Sequence, residues 1–402
     1  MSDFFQNGII TTLHRLGRPN LERLERELLE YSRQRSTALV LPALYSEFEG
    51  PAMPRIVSEL SRVRYLHEVI LVLDKATERE FARVRRILEP LPAEVKVIHN
   101  DGRRVGRIYR LLADNDLGVG HRGKGRSAWL GYGYVIGRNR SQVIALHDCD
   151  IVTYSRDLLA RLCYPVVSPN LDFVFCKGYY SRVTDRMHGR VTRLLVTPLL
   201  RSLDTLLGRH GFVDFLDSFR YPLSGEFCMV SDMARVNRIP WDWGLEVGSL
   251  AEVYRNYSAR RVCQVDLSDN YEHKHQSLSA HNPERGLLRM TVDICKSLFR
   301  TLASEGAVFS PSFFKSLAVT YLRNAEDTMV KYEADATLNG LSFDRHVEAK
   351  AVEAFARGIV MAADTFLENP MGTPLIPNWN RVLAAIPDIS ERLVQAVDED
   401  NR

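Results

Sequence analysis

The sequence predicts an α/β protein: a mixed, mostly parallel sheet flanked by helices, followed by a helical C-terminal region. Two observations carry this. Up to about residue 150, short apolar runs alternate with helix-period patterns at a spacing of about 30 residues, the signature of strand–helix–strand units. From about residue 285 onward only helical patterns remain.

Residues 1–35 read as an N-terminal helical arm, built on the charged stretch "NLERLERELLEYSRQR". "TALVLPAL" (37–44) is the first expected strand and "MPRIVSELSRV" the helix after it. "HEVILVLD" (67–74), "TEREFARVRRILEPL" and "AEVKVIHN" (93–100) give strand, helix, strand. "VGRIYRLLADNDL" and "GKGRSAWLGYGYVIG" are two helical stretches, and "SQVIALHDCD" the fourth strand. "DFVFCKGYYSRV" (172–183), "YPLSGEFCMVS" (221–231) and "RRVCQVDLSDNYEHKH" (260–275) read as strands with loops at their ends. Between the first two lies the amphipathic "RVTRLLVTPLLRSLDTLLGR". Four helical stretches follow, beginning "RGLLRM", "PSFFKS", "RHVEAK" and "ISERLV". A boundary is expected near "SLSAHNPERG", dividing the chain into 1–35, 36–280 and 281–402.

Composition narrows the classes. The 402 residues are 45% apolar and 26% charged, ordinary for a globular protein, and the net charge of +3 is too small to argue for nucleic acid. The six cysteines form no C-x-x-C pair and mostly sit in apolar runs, as thiols of a reducing compartment do. The N-terminus lacks an apolar secretory core, and no 18-residue apolar run exists, so a cytoplasmic protein with no membrane span is expected.

The chemistry concentrates after the fourth strand. Of three D-x-D triplets (114–116, 148–150 and 398–400), only Asp148-Cys149-Asp150 follows a short apolar run. Ligands of open α/β sheets bind beyond the carboxyl ends of strands. Carboxylates there can hold a hard cation, which can hold a diphosphate. The plainer alternative is an Asp pair capping a turn. "DLGVGHRGKGRS" fits both G-x-G-x-x-G and G-x-x-x-x-G-K, but no strand leads into it and Gly125 stands where a P-loop needs Ser or Thr. It reads instead as a glycine loop opening a helix, with Lys124 facing an anion or base. "MHGRVTRLL" sets Gly189 and Arg190 before a helix with Thr192 in its first turn, a place for a phosphate or carboxylate or an ordinary capped helix. "YEHKHQ" offers His273 and His275 as metal ligands or surface histidines. In "WDWGLEVGSL", Glu246 could accept a hydroxyl's hydrogen bond or simply start a helix.

Taken in order, "LVLPALYSEFEG", "ILVLD", "GHRGKGRSAW", "LHDCDI", "HGRVTRLLVTPLL", "YPLSGEF", "WGLEVGSL" and "QVDLSDNYEHKH" resemble the glucosyl-3-phosphoglycerate synthases, over roughly residues 37–280. These are retaining glycosyltransferases of the GT-A type, with a Rossmann-like sheet. The resemblance implies glucose transfer from a nucleotide sugar, UDP-glucose first, to 3-phosphoglycerate, assisted by Mg2+ or Mn2+. It implies that Pro42, Ala43, Leu44, Glu47 and Asp74 line the uridine and ribose pocket and that Lys124 approaches the nucleotide. Asp148 and Cys149 would meet the nucleotide sugar, and Asp150 with His273 would bind the metal, His273 being preferred over His275 by spacing. Gly189, Arg190 and Thr192 would hold the acceptor. Ser224, Gly225, Glu226 and Glu246 would surround the transferred sugar, with Asp148, Asp150 and Glu246 as the catalytic set. Three rivals stand beside this: mannosyl transfer from GDP-mannose, a nucleotidyltransferase, and a non-catalytic scaffold. The nucleotidyltransferase would need a basic loop soon after the first strand, and "LPALYSEFEG" has none. A homodimer joined through the helical C-terminal region is expected.

Overall fold

The computed structural model describes residues 4–17, 20–272, 286–371 and 375–402. Eight strands form one sheet: β1 (Thr11–Leu13), β2 (Thr37–Leu44), β3 (Leu66–Asp74), β4 (Glu94–His99), β5 (Val143–Leu146), β6 (Phe175–Tyr180), β7 (Phe227–Val230) and β8 (Val262–Ser268). Their order is β1-β8-β6-β7-β5-β2-β3-β4. β7 runs antiparallel to both of its neighbours, β5 and β6; the other pairings are parallel. Seven strands fall where the sequence reading put them. β1 does not: the segment read as a helical arm also contains this three-residue strand, which pairs with β8 at the sheet edge. Three residues are too few for a hydrophobic period to register.

The central strands are unbroken apolar runs because both faces are covered. Ala38 and Val40 of β2 point into one core with Ile70, Val72, Ile144 and Leu146. Leu39 and Leu41 point into the other with Val69, Leu71, Val143 and Ala145. The first core also takes in Phe299, Tyr321, Phe355, Trp379 and Leu393 from the C-terminal helices. The segments on either side of the expected boundary near 280 therefore share apolar packing. Trp379 stacks on Trp129 with ring centroids 4.3 Å apart. The charged tail at 398–400 belongs to the helix Ile389–Asp400, docked on the sheet edge. There Asp398 binds Lys96 of β4 at 2.8 Å, and Arg104 binds Glu399 and Asp400. This third D-x-D triplet is thus a structural clamp.

The chain order turns around between β5 and β2. β2 continues past the last β5 pairing, Val40 with Leu146, to Leu44, which sits opposite Asp74 at the end of β3. Beyond this shared edge lie Pro42–Leu44, Asp74 and the 148–150 triplet. A crevice at such a switch point is where open α/β sheets bind ligands. Among the described residues, no helix is long and apolar enough to cross a membrane.

Candidate active site

The Gly-rich loop ends at Gly123, and Lys124 is the first residue of the helix Lys124–Arg138. The glycines serve close approach: a Cβ on Gly123 would run into the Trp241 carbonyl oxygen, and one on Gly125 into that of Pro240. This contact ties the start of the Lys124 helix to the segment that opens the helix Leu245–Asn256, whose first turn carries Glu246. Lys124 Nζ consequently lies 2.5 Å from Asp148 Oδ1 and 3.1 Å from Glu246 Oε1. Burial alone would lower the lysine's pKa. The Asp148 and Glu246 carboxylates outweigh it and hold the ammonium charged well above its ordinary range.

These three residues line a cavity of about 550 Å³ that also contains Gly225, Leu223, Trp243, Tyr180, Arg182 and the turn His188–Thr192. Seven residues singled out in the sequence meet here: Lys124, Asp148, Gly189, Arg190, Thr192, Gly225 and Glu246. At the turn, Gly189 has φ +75°, a left-handed conformation that favours glycine. The chain then enters a π-helical stretch, Val191–Val196, before the α-helix Thr197–Leu207. Single π turns often occur at functional sites. Arg190 Nε donates to Glu348 Oε1 at 2.7 Å, and Arg193 Nη2 to Glu348 Oε2 at 3.1 Å. Glu348 comes from the C-terminal helix Arg345–Glu368 and is only 5% exposed. The Nη groups of Arg190 make no hydrogen bond among the described residues, which leaves them for an anion.

Other expected residues lie around the cavity rather than in its wall. Asp74 is buried, accepts from Ser127 Oγ at 3.0 Å and pairs with Arg122 Nε at 3.1 Å; Arg122 also reaches Asp101. Pro42, Ala43 and Leu44 end β2 beside Asp74, and Glu47 follows in a short 3-10 turn. Cys149 is buried in the second core. Ser224 is buried, its hydroxyl donating to the Gly178 carbonyl at 2.6 Å. Glu226 is fully buried and accepts from the Tyr271 hydroxyl at 2.5 Å and the Tyr180 hydroxyl at 2.8 Å. Burial, with Asp148 nearby, raises its pKa. His273 and His275 lie outside the described residues.

Asp150 stands at the mouth of β5, half-buried. Among the described residues, no group of three or more His, Cys, Asp or Glu could hold a metal ion. A divalent ion at Asp150 would therefore draw most of its remaining ligands from a substrate diphosphate and water. This sparse protein ligation is the mode of Mg2+ in nucleotide sites, and Asp150 fits it.

Arg122, Lys177, Arg182, Leu223 and Glu348 were not singled out from sequence. Lys177 left a signal, a lysine inside an apolar strand. Glu348 left none, because its partners are more than 150 residues away.

An eight-stranded sheet with one reversed strand, acidic residues at the switch point and a lysine-bridged carboxylate pair agree with the GT-A type glycosyltransferase that the sequence resemblance implies. No family model matches the chain. It is 53% identical to a glucosyl-3-phosphoglycerate synthase of Persephonella marina, over 100% of this chain and 99% of that one. It is 40% identical to one from Methanococcoides burtonii, over 99% and 98%. The chain belongs to the glucosyl-3-phosphoglycerate synthase family. Its fold is similar to the crystal structure of the Mycobacterium tuberculosis glucosyl-3-phosphoglycerate synthase in complex with Mn2+, UDP and phosphoglyceric acid. That match has TM-score 0.53 and 20% identity, covering 75% of this chain and 88% of that one.

Proposed function

We propose that this enzyme moves glucose from UDP-glucose to a hydroxyl of 3-phosphoglycerate with retention at the anomeric carbon. The observation that carries this reading is the single cavity joining Lys124, Asp148 and Glu246 to the Gly189–Thr192 turn. Its volume suits small ligands. Full-length family membership supports it, as do the ligands of mycobacterial structures, which include UDP-glucose with phosphoglyceric acid and Mn2+.

The uridine and ribose lie along Pro42–Glu47 and Asp74, with Asp148 and Cys149 at the sugar end. Arg122, now on Asp74, shares that carboxylate with the base or yields it. Asp150, with His273, would hold Mg2+ or Mn2+, which when bound supplies Lewis-acid stabilisation of charge on the diphosphate. Lys124 stays protonated and brings a second positive charge to the same place. Glu246 accepts a hydrogen bond from a sugar hydroxyl, with Ser224, Gly225 and Glu226 backing the sugar. The arginine fork, Thr192 and the helical N–H groups orient the acceptor's anionic groups. Its hydroxyl attacks the anomeric carbon from the side that the leaving phosphate vacates, and that phosphate oxygen takes the proton.

The test is UDP release from UDP-glucose, with and without 3-phosphoglycerate and with and without Mn2+. Release that ignores the acceptor would overturn the reading. Calorimetry against GDP-mannose decides the donor: a preference for it of about tenfold, roughly 1.4 kcal/mol, would install the mannosyl alternative. All six cysteines are buried free thiols, which supports a cytoplasmic setting.

A further inference from the structure

Lys177 lies within β6 and is 1% exposed. A buried ammonium is costly unless it is hydrogen-bonded and near compensating charge. Lys177 has both. Its Nζ donates to the Ser224 carbonyl at 2.7 Å and sits 5.6 Å from the Phe227 ring centroid. The charged groups facing it are Glu246, Glu226 and Asp148, which favour its charge, and Lys124, which opposes it. Lys177 is buried and lies outside the cavity wall, so its effect on the reaction passes through the groups it holds.

What it grips does line the cavity. Ser224 stands between Leu223 and Gly225, both in the wall. The Gly178 N–H donates to the Glu226 carbonyl at 2.9 Å and the Ser224 hydroxyl to the Gly178 carbonyl, so the turn is also stapled to β6 at the residue after the lysine. Gly225 is pressed against the charged pair: a Cβ there would lie 2.5 Å from Asp148 Oδ2 and 2.6 Å from Lys124 Nζ. We infer that Lys177 is a positioning residue for the transfer: by clamping the Ser224 carbonyl it holds the Leu223–Gly225 turn against Asp148 and Lys124, where the transferred sugar packs. This rests on the proposed reaction.

Burial, stronger than the pull of Glu246 and Glu226, lowers the Lys177 ammonium to about 8. Lys124, Tyr180, Tyr221 and Tyr271 are all held above their ordinary values, so they stay protonated in that range. Loss of the Lys177 proton weakens its hydrogen bond, so kcat should fall as pH rises through about 8.

The experiment compares the full-length wild type with Lys177→Met and Lys177→Gln, in Mn2+, by initial rates of UDP release. Melting curves check that each variant folds. Lys177→Met should lose about tenfold or more in kcat while KM for UDP-glucose stays within about threefold. Glutamine, a neutral donor, should recover part of kcat. The alkaline limb should vanish in both variants. Lys177→Met with more than about half the wild-type kcat, a loss confined to KM, or an unchanged alkaline limb in either variant would overturn the inference. Failure of both variants to fold would assign Lys177 to the fold and overturn it as well. A wild type inactive on UDP-glucose and 3-phosphoglycerate would instead overturn the proposed reaction.

Discussion

At the scale of single residues, the proposed acceptor site turns on how Arg190 is held. Its Nε is taken by Glu348, which fixes the plane of the guanidinium; in the proposed reaction both Nη groups meet the acceptor's phosphate. Lysine keeps the charge but loses this planar fork. Arg190→Lys should weaken 3-phosphoglycerate use by roughly 1.5–3 kcal/mol, about ten- to a hundredfold. Arg190→Ala should be worse and should lose most of the preference over unphosphorylated glycerate. Steady-state kinetics with both acceptors check this; an unchanged preference in Arg190→Ala would move the acceptor away from this turn. Asp150→Ala should abolish turnover while leaving the melting temperature in EDTA near wild type, because the role proposed for it lies with the metal rather than the fold. Substantial activity at saturating Mn2+ would reassign the metal. Asp148 and Asp150 were legible in the sequence because a short apolar run delivers them. Lys177 was passed over because β6 reads as core, and only the structure shows its ammonium holding Ser224.

At the scale of elements, the proposed acceptor turn depends on a helix that the sequence could not connect to it. The span "RHVEAKAVEAFARGIVMAADTFLE" was legible as a helix and forms one at Arg345–Glu368. That its Glu348 bridges Arg190 and Arg193 was not legible, since the sequence reading rests on local periods and a contact across about 150 residues leaves none. Likewise "RVTRLLV" reads as plain amphipathic helix, because the apolar pattern does not separate a π turn from an α turn. Glu348→Gln removes a buried carboxylate from two arginines, one of them with a side chain only 10% exposed. Breaking one partner of a buried pair costs about 3 kcal/mol or more. The variant should melt several degrees lower and show a raised KM for 3-phosphoglycerate. Calorimetric affinity for UDP with Mn2+ should be unchanged. A KM equal to wild type would mean that Glu348 supports the fold without orienting Arg190.

At the scale of the whole molecule, one sheet supplies both the stability and the site, so the two share a dependence on pH. His147 is the clearest link. It continues β5 beyond Leu146, is 0% exposed, and lies 4.9 Å from the Tyr154 ring. Its Nδ1 donates to the Asp148 carbonyl at 2.8 Å, so the neutral ring orders the backbone that carries Asp148. Burial lowers its pKa to about 4, against 6.5 for a free histidine. The unfolded chain therefore takes up a proton between those two values that the folded one refuses. The sign follows: this term favours folding above pH 6.5 and is lost as pH falls toward 4. A shift of that size amounts to roughly 3 kcal/mol in full, of which about 2 kcal/mol should disappear between pH 7 and pH 5. Asparagine can donate from Nδ2 where histidine donates from Nδ1, but it does not titrate. Urea unfolding at pH 7 and pH 5 should therefore show the wild type losing about 2 kcal/mol more than His147→Asn. Because the C-terminal helices share the core with the sheet, each melt should be a single transition, with the secondary-structure and tryptophan-fluorescence signals falling together. Equal losses in both proteins would show that the His147 ring becomes protonated without unfolding the strand end.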